Sequence, residues 1–279
     1  MAADGDRFDD IFVDLDFSRV TEYGTGDLGF GDAAFADYED SLGVIPESEW
    51  PEHIEELERR NTGTEHLIVH IYNQGRVGSC TSHATCQAMM IAAAIQFGRQ
   101  RTPILSPISL YKRVARGPNS GSTIEDNVDE AMGRGVLPAD VSEQSARFKH
   151  VMPSGDWHAR FPQGWEETAR QFLLDEVYVC RSVAAVVSAL VRGHPVIVGR
   201  DGHAICYVRP TYRRGALSVI YANSWGQWGV GVGPWEYGFG LDSARQLERA
   251  STWAVAVRTV NFAHDAIDVT QSQMRGDHA

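Results

Sequence analysis

Apolar residues return at helical spacing from Cys80 onward. Ala84, Ala88, Ile91, Ala92 and Ile95 fall on one face of a helix that runs to about Gln96, with Gly98 as its stop. Ser106-Pro107 opens the next helix, since proline has no N–H to leave unpaired in a first turn, and Leu110 and Val114 mark its buried side. Ile124 to Met132 predicts a short helix ended by Gly133. Ser182 to Val191 predicts another, with Val183, Val186, Val187 and Leu190 inward. Later the pattern changes to short β-type runs: Pro195 to Val198, His203 to Val208, Leu217 to Tyr221 and Thr252 to Val257. Leu67-Ile68-Val69 reads the same way. Helices first and strands afterwards predict an α+β protein with a cleft between a helical lobe and a sheet lobe. No internal repeat or low-complexity segment is visible.

The amino-terminal stretch differs from this body. Val13, Leu15 and Phe17 alternate with Asp14 and Asp16, as in a strand with one buried face, and Tyr23 to Asp40 reads as an extended strap rich in Gly, Ala and Asp. Residues 1–65 hold 19 Asp and Glu against 4 Arg, a net charge of −15; the whole chain carries −12, so residues 66–279 carry +3. An acidic arm therefore precedes a mildly basic body. Nucleic acid is not an expected partner, because phosphate contacts require Lys and Arg. Nor is a membrane expected, since no run approaches the roughly 18 apolar residues of a span.

The 279 residues, 43% of them hydrophobic, suffice for a substantial core. Four cysteines stand at 80, 86, 180 and 206. With Cys80 committed to chemistry an odd number remains, which fits a reduced interior and not a secreted disulfide scaffold. Met1 to Asp10 carries four aspartates and no apolar core, so no secretory signal is expected there. A cytoplasmic or virion-associated location follows as an expectation.

The chemistry concentrates around Cys80, in Asn73-Gln74-Gly75-Arg76-Val77-Gly78-Ser79-Cys80-Thr81. A cysteine that opens a helix gains from the dipole and the unpaired N–H groups there, which favour the thiolate. A glutamine six residues earlier places an amide donor beside it, so the Gln74 side chain and the Cys80 backbone N–H can form an oxyanion hole. A thiolate also needs a base, and the base an orienting group. His203, in Gly202-His203-Ala204-Ile205, and Asn223, in Ala222-Asn223-Ser224-Trp225-Gly226-Gln227-Trp228-Gly229, supply those residue types in that order. Taken singly, each has a plain structural reading: a small buried thiol, a buried histidine, a turn asparagine.

Together these segments resemble the papain-like cysteine peptidases. That family carries its nucleophile in Gln-Gly-x-Cys-Gly-Ser-Cys-Trp and its asparagine in Asn-Ser-Trp-Gly. His203 follows Cys80 by 123 residues and Asn223 by 143; about 130 to 150 is usual. Leu105-Ser106 looks like the family's opening of its second helix, Gly121-Ser122 stands where a Gly-Gly pair lines the substrate cleft, and Arg192-Gly193-His194-Pro195-Val196 resembles the Gly-Pro-Val entry to a strand. The resemblance covers about residues 45–258 and is strongest to compact bacterial and viral members. It implies a papain-like two-lobed α+β fold, with the nucleophile on the helical lobe and His and Asn on an antiparallel sheet lobe. It also implies that Asn223 fixes the His203 tautomer and that Trp225 shields that hydrogen bond. Residues 45–263 form the expected peptidase domain, 1–44 an acidic arm in the place of a prosegment, and 264–279 a polar tail.

Four departures from the family pattern stand out. Val77 replaces the cysteine of a family disulfide, so that bridge cannot form. Thr81 replaces an aromatic, and Gly202 stands where Asn or Asp usually precedes the histidine. Ser122 replaces the second cleft glycine, and its side chain is expected to narrow the approach. His66 and His70 are not read as a metal pair, His83 is read as packing or cleft lining, and Asp201 as a neighbour tuning the His203 charge. The function implied is hydrolysis of peptide or protein substrates through an acyl-enzyme, with no cofactor and no metal. Acyl transfer to an amine uses the same residues. The alternative of another class is a papain-like fold kept as a structural or docking component of a virus particle or other assembly. For the arm, a strap, a docking tail and an inhibitory cover of the chain's own cleft all stay open.

Overall fold

A computed structural model describes residues 26–27, 35–141, 144, 146–250 and 253–267. The alternation at Val13, Leu15 and Phe17 and most of the carboxy-terminal tail lie outside the described residues. Helices α1 (Tyr38–Leu42), α2 (Trp50–Arg60), α3 (Cys80–Phe97), α4 (Pro107–Val114), α5 (Ile124–Arg134) and α6 (Trp165–Ala169) come first. Strand β1 (Phe172–Cys180) and helix α7 (Val183–Val191) follow, then β2 (Val196–Arg200), β3 (His203–Arg213), β4 (Ala216–Ala222), β5 (Phe239–Ser243), helix α8 (Ala244–Ala250) and β6 (Ala254–Phe262). The strands form one antiparallel sheet in the order β1-β6-β2-β3-β4-β5. The architecture is α+β with an antiparallel sheet, as expected.

Side chains alternate across the sheet and divide the core between its faces. Ala204, Cys206 and Val208 of β3 join Ile220, Val255 and the buried residues of α3. Ile205 and Tyr207 join Val219, Ala254 and α7 on the other face, together with Trp50 and Ile54 of α2. Helix α3 is therefore sandwiched rather than amphipathic. It is buried from Cys80 to Ala94, polar residues included. Ile95, expected on the inner face, is instead exposed, while Gln96 of the same turn meets β6 by exchanging hydrogen bonds with Val260 at 3.0 and 2.7 Å.

Several boundaries move for identifiable reasons. Helix α5 passes through Gly133 and ends at Arg134, capped by Gly135 at φ 74°, where a Cβ would lie 2.0 Å from the Ala169 carbonyl oxygen. Leu67-Ile68-Val69 is not a strand: Thr64–Leu67 forms a 3-10 turn, and buried Glu65 reaches Arg209 at 2.8 Å and His66 at 3.4 Å. Strands β1 and β5 and helix α2 add to the elements read from the sequence. Pro195 precedes β2 and does not belong to it.

The described end of the arm, from Phe35, is tied to the body. Val179 N–H donates to the Ala36 carbonyl at 2.9 Å. Asp37 caps α1 by accepting from Glu39 N–H at 2.9 Å, so Tyr38 to Asp40 are helical and not extended. Ile45 N–H donates to Ser188 Oγ at 2.7 Å, and Trp50 Nε1–H to the Ile45 carbonyl at 2.9 Å.

Candidate active site

Two loops and a hairpin bring the site together. Asn73 and Trp225 form an antiparallel bridge, Gln74 N–H donates to the Ser224 carbonyl at 2.8 Å, and Gly226 N–H to the Tyr72 carbonyl at 2.9 Å. The Gln74 and Asn223 segments are thereby laced side by side. Ser224 Oγ also donates to Gln74 Oε1, while Gln74 Nε2 donates to the Val77 carbonyl at 2.9 Å, which fixes the amide at both ends. Ser224 was not singled out from the sequence, although it stands inside the Asn-Ser-Trp-Gly motif.

His203 is placed by a two-residue hairpin. Arg200 pairs with His203 in the β2–β3 register, and the connecting Asp201 and Gly202 have φ of 53° and 79°. Positive φ at both central positions is a type I′ turn, for which Asp-Gly is a favoured sequence. This was the legible hairpin signal between two apolar runs, and the reading of separate strands missed it. Asp201 lies 3.8 Å from Arg200, not against the His203 ring, so the expected tuning partner is turned elsewhere.

The His203 ring stacks on Trp225 with centroids 4.5 Å apart, and Trp228 meets Trp225 edge-on at 5.2 Å. His203 Nε2 and Asn223 Oδ1 are 2.8 Å apart, and the same oxygen accepts from Ser224 N–H at 2.8 Å. An amide oxygen only accepts, so Nε2 carries the hydrogen and Nδ1 has the basic lone pair. Burial pushes His203 down to about 4; the Asn223 hydrogen bond opposes this and the Arg200 charge adds to it.

Cys80 is the first residue of α3, and its N–H belongs to the first turn, whose donors have no intrahelical partner. The backbone N–H of Ala204, next to His203, faces its sulfur and favours the thiolate. Yet the thiol is 0% exposed, and burial pushes its pKa up, not down as the helix end alone implies. Thr81 Oγ1 donates to the Ser122 carbonyl at 3.3 Å and does not line an open cleft. Ser122 Oγ accepts from Asn127 Nδ2 at 2.8 Å, so this side chain turns inward and does not narrow the approach as expected.

Gly26 and Asp27 of the arm lie across this site, a placement with no sequence signal. Ser122 N–H donates to the Gly26 carbonyl at 2.7 Å, and the N–H groups of Gly26 and Asp27 both reach the Gly202 carbonyl at 3.2 Å. The dipeptide thus spans from Ser122 on the helical side to Gly202 on the sheet side. A Cβ on Gly26 would lie 1.8 Å from the Gly78 carbonyl oxygen, so only glycine passes at that point. Gly26 N–H also faces the Cys80 sulfur, and the nearby Asp27 carboxylate disfavours the thiolate.

The remaining candidates sit apart. His70 packs edge-on against Tyr72 at 5.1 Å, and His83 is buried within α3. All four cysteines are free and buried. Arg200 and Asp242 form a buried ion pair, with Tyr207 OH donating to Asp242 at 2.7 Å; this network on the sheet face away from α3, whose Arg200 charge reaches His203, was not foreseen. Among the described residues no helix is long and apolar enough to cross a membrane.

No protein-family model and no curated protein matches the sequence. Solved structures do match the fold. A digestive procathepsin L2 proteinase from Tenebrio molitor larval midgut aligns at 16% identity over 89% of this chain and 82% of that one, with a TM-score of 0.61. A procathepsin B from Trypanosoma congolense aligns at 13% identity over 89% and 90%, with a TM-score of 0.56. Xylellain, a cysteine protease from Xylella fastidiosa, aligns at 18% identity over 85% and 97%, with a TM-score of 0.53. With helices before a six-stranded antiparallel sheet, and Cys80 beside the strand that carries His203, the chain has the papain-like fold of these cysteine proteases.

Proposed function

We propose that the chain is a papain-like cysteine peptidase whose nucleophile is covered by its own arm. The observation that carries the reading is the His203–Asn223 hydrogen bond at 2.8 Å, formed by residues 20 apart whose backbones meet the Cys80 and Gln74 segments. A structural histidine needs no such partner under a stacked tryptophan next to a thiol. In the reaction, Cys80 Sγ bonds to the substrate carbonyl carbon while the Cys80 N–H and the second hydrogen of Gln74 Nε2 hold the oxyanion. His203 Nδ1 passes the thiol proton to the departing amine as the C–N bond breaks. Water then gives a proton to His203, attacks the acyl carbon and releases the thiol. Asn223 holds the ring in the tautomer this requires.

Gly26-Asp27 must leave before a peptide can enter. Three backbone hydrogen bonds, at about 1 kcal/mol each, hold it with about 3 kcal/mol, which corresponds to roughly a hundredfold suppression of an otherwise open site. A cover of that strength gives a latent enzyme rather than a dead one. The reading of a fold retained for docking draws on the same buried thiol, but it leaves the His203–Asn223–Trp225 arrangement without a use.

Turnover tests the proposal. The full chain carrying Gly26→Arg, whose side chain cannot pass the Gly78 carbonyl, is expected to degrade an unfolded protein substrate. The same chain with Cys80→Ala added is expected not to. Folded Gly26→Arg protein that cleaves nothing across a diverse peptide library favours the docking reading.

A further inference from the structure

Helix α3 carries a second fully buried histidine. His83 lies one turn beyond Cys80 and is 0% exposed; Gln87 lies one turn further and is 4% exposed. His83 Nδ1 is 2.8 Å from the Ser79 carbonyl oxygen and 3.1 Å from Ser79 Oγ. A carbonyl only accepts, so Nδ1 carries the hydrogen and Nε2 presents a lone pair. That Nε2 and the Gln87 Nε2 are both buried and meet no described protein group in hydrogen-bond geometry, although the Ser154 backbone also faces the His83 ring and favours its charged form. One is an acceptor and the other a donor.

Both belong to a small cavity behind the candidate site, also lined by Tyr72, Ala204, Asn223 and Ser224. The space open to the centre of a water-sized sphere is about 10 Å³. That is close to the smallest volume that holds one water, and because most of the lining is apolar, the two nitrogens are the partners that would keep it in place. Burial pushes His83 down to about 4, so the ring stays neutral and keeps its lone pair at ordinary pH. A water there can donate to His83 Nε2 and accept from Gln87 Nε2, which satisfies both groups at once.

We propose that one buried water, held between His83 Nε2 and Gln87 Nε2, braces Asn223 from behind and makes His83 a positioning residue for the reaction. Asn223 and Ser224 also line the cavity, and Asn223 Oδ1 is the atom that His203 Nε2 reaches. A filled, hydrogen-bonded cavity stops the Asn223 loop from sinking toward α3. It links the helix that carries the nucleophile to the strands that carry the base. The positioning role rests on the peptidase reading; the water does not.

Two measurements separate these parts. A high-resolution crystal structure of the full chain with Cys80→Ala is expected to show one density peak at roughly 2.7–3.2 Å from both Nε2 atoms. Density absent from that cavity, or a Gln87 amide turned to a protein carbonyl, overturns the water. In the Gly26→Arg chain, His83→Phe is expected to lower kcat about tenfold with KM little changed, because misplacing a reacting group costs rate and not ground-state binding. The alkaline limb of Cys80 alkylation by iodoacetamide should also move to lower pH, since a loosened Asn223 supports the imidazolium less. His83→Gln, which keeps a hydrogen-bonding end, should retain most of the rate, and Gln87→Leu should behave like His83→Phe should the latter not fold. Unchanged kcat and pH profile in folded His83→Phe overturn the positioning role. No Cys80 reactivity in Gly26→Arg itself sinks the peptidase reading and the positioning role together, whereas the density decides the water independently.

Discussion

The two walls of the cleft are built in opposite ways. On the sheet side, His203, Asn223, Trp225 and Trp228 pair and stack with one another within β3 and the loop after β4, and that loop is laced to the Gln74 segment. On the helical side, Cys80 opens a helix, but its surroundings are completed by Gly26 and Asp27, more than fifty residues earlier in the chain. His203 is thus held largely by its own lobe, and Cys80 is covered by a distant segment. The cover bonds to both walls, through Ser122 N–H on the helical side and the Gly202 carbonyl on the sheet side, so its departure frees a backbone group on each.

The largest expected effect breaks the helical wall at its chemical centre. Cys80→Ala in the Gly26→Arg chain should lower kcat by about ten-thousandfold or more, because a thiolate nucleophile has no substitute there. Circular dichroism should stay unchanged. Breaking the sheet wall costs less: Asn223→Ala should lower kcat by roughly ten- to a hundredfold, since the ring loses its fixed tautomer but not its place on Trp225. A steady-state comparison at fixed pH measures it, and a loss as large as that of Cys80→Ala would mean that Asn223 does more than orient.

Acid should act on both buried histidines together. His203 and His83 fall from 6.5 to about 4 on burial, so the unfolded chain binds their protons first as pH drops. Their contribution to stability is complete above pH 6.5 and is lost as pH falls toward 4. Two such groups give a slope of about 2.7 kcal/mol per pH unit. Urea midpoints across that window should show it, and His83→Phe should remove about half. The smallest effect sharpens the account of the cleft wall: Ser122→Ala should leave kcat/KM within about twofold, since the hydroxyl serves Asn127 and the backbone N–H is the group that pairs with a peptide.

How far the sequence could be read follows the same division. Cys80, His203 and Asn223 were legible because each lies in a short motif whose neighbours fix its local backbone, and their spacing matched a known order. Helix α3 was legible in extent but not in environment, because a period of apolar residues does not reveal that Ser82, His83, Thr85 and Gln87 are buried as well. Strand β5, in Phe239-Gly240-Leu241-Asp242-Ser243, has a weak pattern because its aspartate is inward, neutralised by Arg200 from the neighbouring part of the sheet. The cover left no trace in local sequence. Gly26-Asp27 pairs through backbone groups that every residue has, and what makes glycine necessary is the Gly78 carbonyl, which no local pattern can announce.

The most direct measurement is the rate at which an epoxysuccinyl thiol-peptidase inhibitor labels the protein, followed by intact mass, in the unaltered chain and in Gly26→Arg. The account predicts a single adduct at Cys80 in both, forming about a hundred times faster in Gly26→Arg, in line with three lost backbone hydrogen bonds. Equal rates would contradict the cover, and folded Gly26→Arg protein that takes no adduct would contradict the peptidase itself.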